Sequence, residues 1–382
     1  MKRAFVTRRN MMIAAGAVLL SGCSIIPKGG DTPTTGTPTP TPAPGPSGLP
    51  QDNLHRVALL VPLSGQNGDV GQSIANATTM AILDTEADNL RITTYDTAQG
   101  PQAAARQAIA DGNKLILGPL LGSNVVSVRA EAGPANVPII SFSNDTTVAG
   151  PGVFVMGHIP EQSIARSVAY ARDNGADDFA ILAPDGEYGD RAEAALRSAL
   201  GLHGGDFVAS ERYSRTNTSV VSAAARLRQR GGFDTVLIAD SGTSSIRGGE
   251  AVKFGGLQIL GTERWSGDRD VLRSSALRGA LFSSVSDTRY GGFVRSYRER
   301  FGGQPYRVAT LGYDAVLLTL RAAREWRTGR PFPTDVLFQS GGFDGMDGPF
   351  RFQRNGVVER AMEVRRVTNG DVTIVAAAPK GF

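Results

Sequence analysis

The chain is poor in the residues that usually carry catalysis, metal binding or covalent cross-links. Its 382 residues include one cysteine, three histidines and two tryptophans. A single thiol, Cys23, forms no intramolecular disulfide and builds no thiolate metal cluster, so the fold must stand on its apolar core. His55, His158 and His203 are too scattered to read as a metal cluster or a catalytic dyad. No G-x-S-x-G elbow, G-x-x-x-x-G-K-[ST] loop or G-x-G-x-x-G turn after the first apolar run is present. These absences argue for a chain without catalysis, metal or cofactor. Asp185 and Glu187, two residues apart ahead of a helix, read as acids at its positive terminus rather than as a catalytic pair.

Long apolar runs are missing as well. The stretch from Met11 to Leu20 covers about ten residues, well short of the ~20 that span a bilayer. It follows Lys2, Arg3, Arg8 and Arg9 and precedes Leu20-Ser21-Gly22-Cys23, which is the layout of a signal peptide over residues 1–22. The Leu-Ser-Gly-Cys tetrad resembles the lipobox of bacterial lipoproteins, which implies cleavage before Cys23 and lipid on its thiol. Thr7-Arg8-Arg9-Asn10 leaves both the general and the twin-arginine export routes open. Ser24, in place of the Asp that favours inner-membrane retention in enterobacterial lipoproteins, leans toward the outer membrane. The formal charge of +4 is matched by the four basic residues of the leader, so the mature chain is close to neutral. The excess of basic residues is therefore no sign of nucleic-acid binding.

After Cys23, the segment 23–53 is mostly Pro, Thr and Gly between Pro27 and Pro50, the composition of an extended spacer. Beyond it, apolar runs alternate with amphipathic stretches. Val57-Ala58-Leu59-Leu60-Val61, Leu115-Ile116-Leu117, Pro138-Ile139-Ile140, Phe179-Ala180-Ile181-Leu182, Val236-Leu237-Ile238 and Gln258-Ile259-Leu260 read as buried strands. Ile74, Thr78, Ala81 and Ile82 share one helix face. The expectation is an α/β protein with parallel, doubly wound sheets, in which ligands bind in loops at the carboxyl ends of the strands. Those loops hold Ser64, Ser123, Ser143, Asn144, Asp145, Tyr188, Asp240, Glu263 and Trp265, the candidate ligand contacts. Many of their hydroxyl and amide residues serve equally well as helix caps. Trp265 is the aromatic candidate, since indole joins a large apolar face to one donor. Arg321, Arg324 and Arg327 recur with Trp326 beside Val316, Leu317, Leu320 and Ala323, the pattern of a helix with a solvated basic face.

Taken in order, Val57 to Gly65, Leu117-Gly118-Pro119-Leu120, Pro138 to Ser141, Asp185-Gly186-Glu187-Tyr188-Gly189 and Gly348-Pro349-Phe350-Arg351-Phe352 resemble segments of the type I periplasmic binding proteins, in the leucine-type branch. The resemblance implies two Rossmann-like lobes joined by three crossovers: 54–158 with 286–340, and 159–285 with 341–380. It implies a small polar, amino-acid-like ligand. Ser123 and the Ser143–Asp145 loop would lie at its carboxylate, Tyr188 at the second lobe's aromatic, and Glu263 near the ammonium. Asp145 departs from the pattern, because an ionised carboxylate only accepts and would repel a ligand carboxylate. Either another group binds there or Asn144 takes the donor role. Lipoproteins of this fold include activators of penicillin-binding proteins, whose partner is a peptidoglycan synthase. That role and the receptor of an amino-acid importer both fit a lipid anchor and a tether, and His158 falls at the first crossover, as a hinge residue.

Overall fold

The run from His55 to Val61 is apolar at every position from Val57 on, as a strand covered on both faces must be. In the computed structural model, which describes residues 54–382, it forms β1 (His55–Val61), and its side chains alternate between two cores. Val57, Leu59 and Val61 point into one, Ala58 and Leu60 into the other. The expected leader, Cys23 and tether lie outside the described residues.

From β1 the chain winds through α1 (Gly68–Thr85), β2 (Leu90–Asp96), α2 (Pro101–Ala110), β3 (Leu115–Leu117), α3 (Gly122–Ala132), β4 (Ile139–Ser141) and β5 (Val153–Val155). The sheet order is β2-β1-β3-β4-β5, all parallel, so the winding reverses between β1 and β3. A second sheet repeats the plan. It uses α4 (Pro160–Asp173), β6 (Asp178–Pro184), α5 (Glu187–His203), β7 (Asp206–Tyr213), α6 (Ser219–Arg230), β8 (Thr235–Ile238), α7 (Gly242–Val252), β9 (Gln258–Leu260), α8 (Arg269–Arg273) and β10 (Leu281–Ser284). Its reversal lies between β6 and β8. In both lobes the first helix after a reversal strand presses on the proline that ends that strand. A Cβ on Gly71 would lie 1.7 Å from the Pro62 carbonyl oxygen, and one on Gly189 would lie 1.9 Å from that of Pro184. Only glycine permits either approach.

The chain then returns to the first lobe. α9 (Tyr290–Phe301) and α10 (Thr310–Ala323) supply Phe293, Leu311 and Leu318 to the core that holds Leu59 and Ile74. An antiparallel meander follows, made of β11 (Phe343–Gly345), β12 (Gly348–Phe352) and β13 (Val358–Arg360). Finally β14 (Glu363–Val367) and β15 (Val372–Ala376) extend the second sheet antiparallel to β10. The meander corrects the expected division at 340. Phe343, Phe350, Phe352 and Val358 pack in the first core, where Phe154 meets Phe352 edge-on at 5.6 Å. The segment 341–360 thus belongs with the first lobe, and the chain re-enters the second at 361–363. The basic-face reading of α10 needs correction too, because the helix ends at Ala323 and Trp326 turns inward to stack on His55 at 4.3 Å.

Among the described residues no helix is long and apolar enough to cross a membrane, and no cluster of His, Cys, Asp and Glu is arranged to hold a metal ion.

Candidate functional site

The two reversal points place the loops after β1, β3 and β4 opposite those after β6, β8 and β9, so the seam between the lobes is where a ligand would sit. On the first lobe, Ser143 is buried and its Oγ accepts from the Asp145 amide at 3.0 Å. A Cβ on Gly122 would lie 3.2 Å from Ser143 Oγ and 2.8 Å from Asp145 Oδ2, so the start of α3, with exposed Ser123, adjoins both. Ser64 stands apart. It is exposed and faces Asp96, whose Oδ1 accepts from the Leu63 amide at 2.8 Å.

The Asp145 carboxylate is turned toward its own backbone. Oδ1 accepts from the Thr147 amide at 2.9 Å and from Thr147 Oγ1 at 2.6 Å, which caps a short 3-10 helix. Asn144 contributes its carbonyl rather than its amide: the oxygen accepts from Arg191 Nη2 of the second lobe at 2.8 Å. Arg191 also grips Glu161 through Nε at 2.7 Å and Nη2 at 2.9 Å. One guanidinium on α5 therefore ties its own lobe to the opposite one. The sequence reading overlooked Arg191, although it lies three residues after Tyr188, on the same face of α5.

On the second lobe, Tyr188, Asp240 and Glu263 come together. The Tyr188 hydroxyl donates to Thr262 Oγ1 at 3.1 Å and lies 3.5 Å from Glu263 Oε1, and Arg264 and Arg215 stand over its ring at 4.9 and 5.6 Å. Burial, and then the nearby Glu263, push the phenol pKa far up. Asp240 is spoken for. It accepts from Tyr213 Oη at 2.7 Å and from Arg215 Nε at 2.9 Å, with the Ser241 amide at 2.9 Å. Burial raises the Asp240 pKa, but the Arg215 and Tyr213 hydrogen bonds outweigh it and hold the carboxyl below its ordinary value.

Trp265 is not a ligand contact. It is fully buried, packs on Phe282, and its Nε1 donates to the Asp240 carbonyl at 2.9 Å and Ser245 Oγ at 3.1 Å. Trp265 lies two residues after Glu263, yet within the 3-10 turn Glu263–Trp265 the indole enters the core while the Glu263 carboxyl lies beside Tyr188 and the cavity. Asp185 and Glu187 make no capping hydrogen bond, since Gly186 at φ 96 is the N-cap of α5. Glu187 still lies in the first turn, where the helix dipole favours an acid.

Glu263 is the candidate with capacity to spare. Its Oε2 is buried without a hydrogen-bond partner, beside a cavity of 20 Å³ lined by His158, Ser266, Ser284, Val285, Arg307 and Met362. That volume holds about one water. Burial pushes the carboxyl up to about 7, partly opposed by its own backbone amide and by Arg264.

Behind this cavity lies the hinge, where the chain passes between lobes at 156–160, 284–290 and 360–363. Buried charges tie these passages together. His158 Nε2 is 2.7 Å from Asp347 Oδ2, Arg307 Nη1 is 2.8 Å from Asp347 Oδ1, and Arg307 Nη2 is 3.3 Å from Asp287. Arg365, 1 % exposed, meets Asp287, pairs with Glu363 at 2.7 Å and donates to the Val285 carbonyl at 2.6 Å. Arg360 donates to the Met156 carbonyl at 2.7 Å. Burial raises the Asp347 pKa, but Arg307 and His158 more than offset that and hold it well below the carboxylate range; neighbouring Asp314, buried and facing Asp347, is pushed up to about 7. His158 is lowered by burial, against the pull of Asp347.

Comparison with known proteins agrees with this architecture. A family model described as periplasmic binding protein matches residues 55–371. An uncharacterised protein of Rickettsia prowazekii is 32% identical over 147 residues, 38% of this chain and 39% of that one. The penicillin-binding protein activator LpoA of Serratia proteamaculans is 26% identical over 175 residues, 46% of this chain and 25% of that one. The matched stretch thus spans well under half the length of these relatives. Among solved structures, a Rhodospirillum rubrum protein assigned to branched-chain amino acid ABC transport aligns with TM-score 0.75 and 19% identity, over 84% of this chain and 100% of that one. A Rhodopseudomonas palustris solute-binding protein in complex with 3,4-dihydroxybenzoic acid aligns with TM-score 0.65 and 20% identity, over 86% and 97%. At such identities the likeness to the solved structures is one of fold.

Proposed function

The chain belongs to the periplasmic binding protein family, and from that premise we propose that it is a non-catalytic envelope lipoprotein acting as a penicillin-binding protein activator-like factor in peptidoglycan synthesis. In this reading Cys23 carries the lipid, 23–53 is the spacer, and the module works on the periplasmic side, at the outer membrane in preference to the inner. Its partner is a peptidoglycan synthase.

One observation carries the reading: the protein's own groups bridge the seam and engage its candidate ligand contacts. Arg191 spans it to the Asn144 carbonyl, Asp145 is used as a cap, and the cavity at Glu263 is 20 Å³. Small-molecule pockets typically enclose roughly 300–1,000 Å³. A module whose lobes are closed on each other presents a fixed outer surface, which suits docking to another protein.

The second reading, a receptor that delivers an amino acid or amide to an ABC importer, is favoured by Glu263. Its unpartnered Oε2 lies at the seam, where an acid would meet an ammonium. A thermal-shift panel of amino acids, amides and muropeptides on the purified protein separates the two. A ligand at a hundred times its Kd adds about 2.7 kcal/mol to folded-state stability. The activator reading expects no shift from amino acids or amides, together with stimulation of a purified peptidoglycan synthase. A clear shift with an amino acid and no effect on the synthase would overturn it.

A further inference from the structure

A second concavity adjoins the hinge passage at 284–290 and is lined by none of the seam residues described above. It encloses 1070 Å³ between the loop after β10, the end of α10, the turn into β11 and the C-terminal segment. Its floor is apolar, with Phe343, Met346 and Pro349. Its charged lining is Arg289, Arg321, Lys380 and Asp344, three cations against one anion. The single anion is already committed: Asp344 Oδ1 and Oδ2 accept from Arg289 Nη1 at 2.9 Å and Nη2 at 2.6 Å. That pairing leaves two cations uncompensated. Arg321 directs Nε and Nη2 to a neutral acceptor, Gln339 Oε1, at 3.2 and 2.9 Å, and its guanidinium stands 5.9 Å over the Phe343 ring. Lys380 is exposed and has no carboxylate partner among the described residues.

The arrangement is directional. Two cations flank an apolar floor, and the exposed Ser340-Gly341 turn brings backbone groups to one wall without bulky side chains. A guanidinium held by a neutral amide keeps its charge while its orientation is fixed, the state in which it binds a carboxylate in forked geometry. Of the basic residues noted after Leu320 in the sequence, Arg321 lines this groove.

We propose that this groove docks an acidic segment of a partner protein, an extended stretch in which Asp or Glu alternates with apolar side chains. The carboxylates meet Arg321 and Lys380, and the apolar side chains cover Phe343, Met346 and Pro349. Its lining shares no residue with the candidate ligand contacts of the seam, so the proposal stands whether or not the cleft takes a small ligand.

Fluorescence anisotropy of the full chain in detergent tests it, with a fluorescein-labelled peptide of alternating Glu and Leu as probe. The Glu–Leu peptide should bind at least tenfold more tightly than its Gln–Leu counterpart, with affinity falling as salt rises. Arg321→Glu combined with Lys380→Glu should abolish that preference and bind a Lys–Leu peptide instead. Both residues are exposed and outside the core, so unfolding midpoints measured alongside should match wild type. Equal binding of the Glu and Gln peptides, or a Glu–Leu affinity untouched by the double reversal, would sink the proposal.

Discussion

The hinge and the mouth of the cleft join the lobes on opposite principles. At the hinge, Arg307, Arg360 and Arg365 are interleaved with Asp287, Asp314, Asp347 and Glu363 around the three passages of the chain, and Asp347 and Asp314 are wholly buried. At the mouth, one guanidinium reaches across, partly in water, its side chain 19% exposed and that of Glu161 32%. Asp314, Asp347, Arg360, Glu363 and Arg365, all buried, have no solvent to fall back on and depend on their partners, while Arg307 and Asp287 link them to the surface. Charges at the mouth exchange protein for water at little cost. This contrast predicts that the hinge sets the axis of any turn of the lobes and that the mouth sets its extent.

The sharpest way to break this contrast is to remove one hinge cation. Arg307→Leu leaves Asp347 buried with His158, the Thr310 hydroxyl, which donates at 2.8 Å, and the charge of nearby Arg360. The loss of one member of a buried pair costs about 3–5 kcal/mol. Urea unfolding should show a drop of that size. A change under about 1 kcal/mol would mean that the hinge charges are solvated after all, and the distinction from the mouth would collapse.

How much of this was legible in the sequence follows the same division. The strands buried on both faces, β1, β3, β4, β6, β8 and β9, announce themselves as apolar runs, and they fix the α/β architecture. The edge strands β2 and β7, Leu90–Asp96 and Asp206–Tyr213, carry polar and charged residues and gave no such run. Loop positions were legible too, because they follow the strands, but the direction of a side chain within a loop was not. Trp265 and Glu263 share one turn but meet different surroundings, and Asp145 spends Oδ1 on Thr147. The hinge network was invisible for a different reason: Asp347 meets His158 across 189 residues of chain, and no local pattern marks such a pair. The resemblance implies the second lobe for the meander, whereas it packs in the first core; the alternation of Phe350 and Phe352 marks a buried face without saying which core it meets.

Glu263 lies between the two regimes, and its titration sharpens the comparison. Its ordinary pKa of 4.5 is pushed up to about 7 by burial, with Glu161 adding to the rise and Arg264 and Tyr188 opposing it. Between those values the folded chain holds a proton that the unfolded chain has released. The raised pKa thus contributes stability that is complete below 4.5 and is lost as pH climbs to about 7. Glu263→Gln, neutral throughout, should be roughly 1–3 kcal/mol more stable than wild type at pH 8 and nearly equal to it near pH 4.5. Unfolding free energies across this range that run parallel for the two proteins would show that Glu263 is as hydrated as the mouth.

The smallest expected change in stability comes with the largest expected change in shape. Arg191→Ala removes a partly exposed ion pair and one cross-lobe hydrogen bond, together worth about 1 kcal/mol or less. If that guanidinium is what holds the mouth, small-angle scattering of the variant should give a larger radius of gyration and a broader distance distribution than wild type. Arg191→Lys separates charge from geometry. A lysine keeps the positive charge but lacks the planar fork that serves Glu161 and the Asn144 carbonyl at once, so it should open nearly as far as alanine. Scattering curves that superimpose for all three proteins would place the closing force elsewhere. In that case the hinge network would set both the axis and the degree of closure.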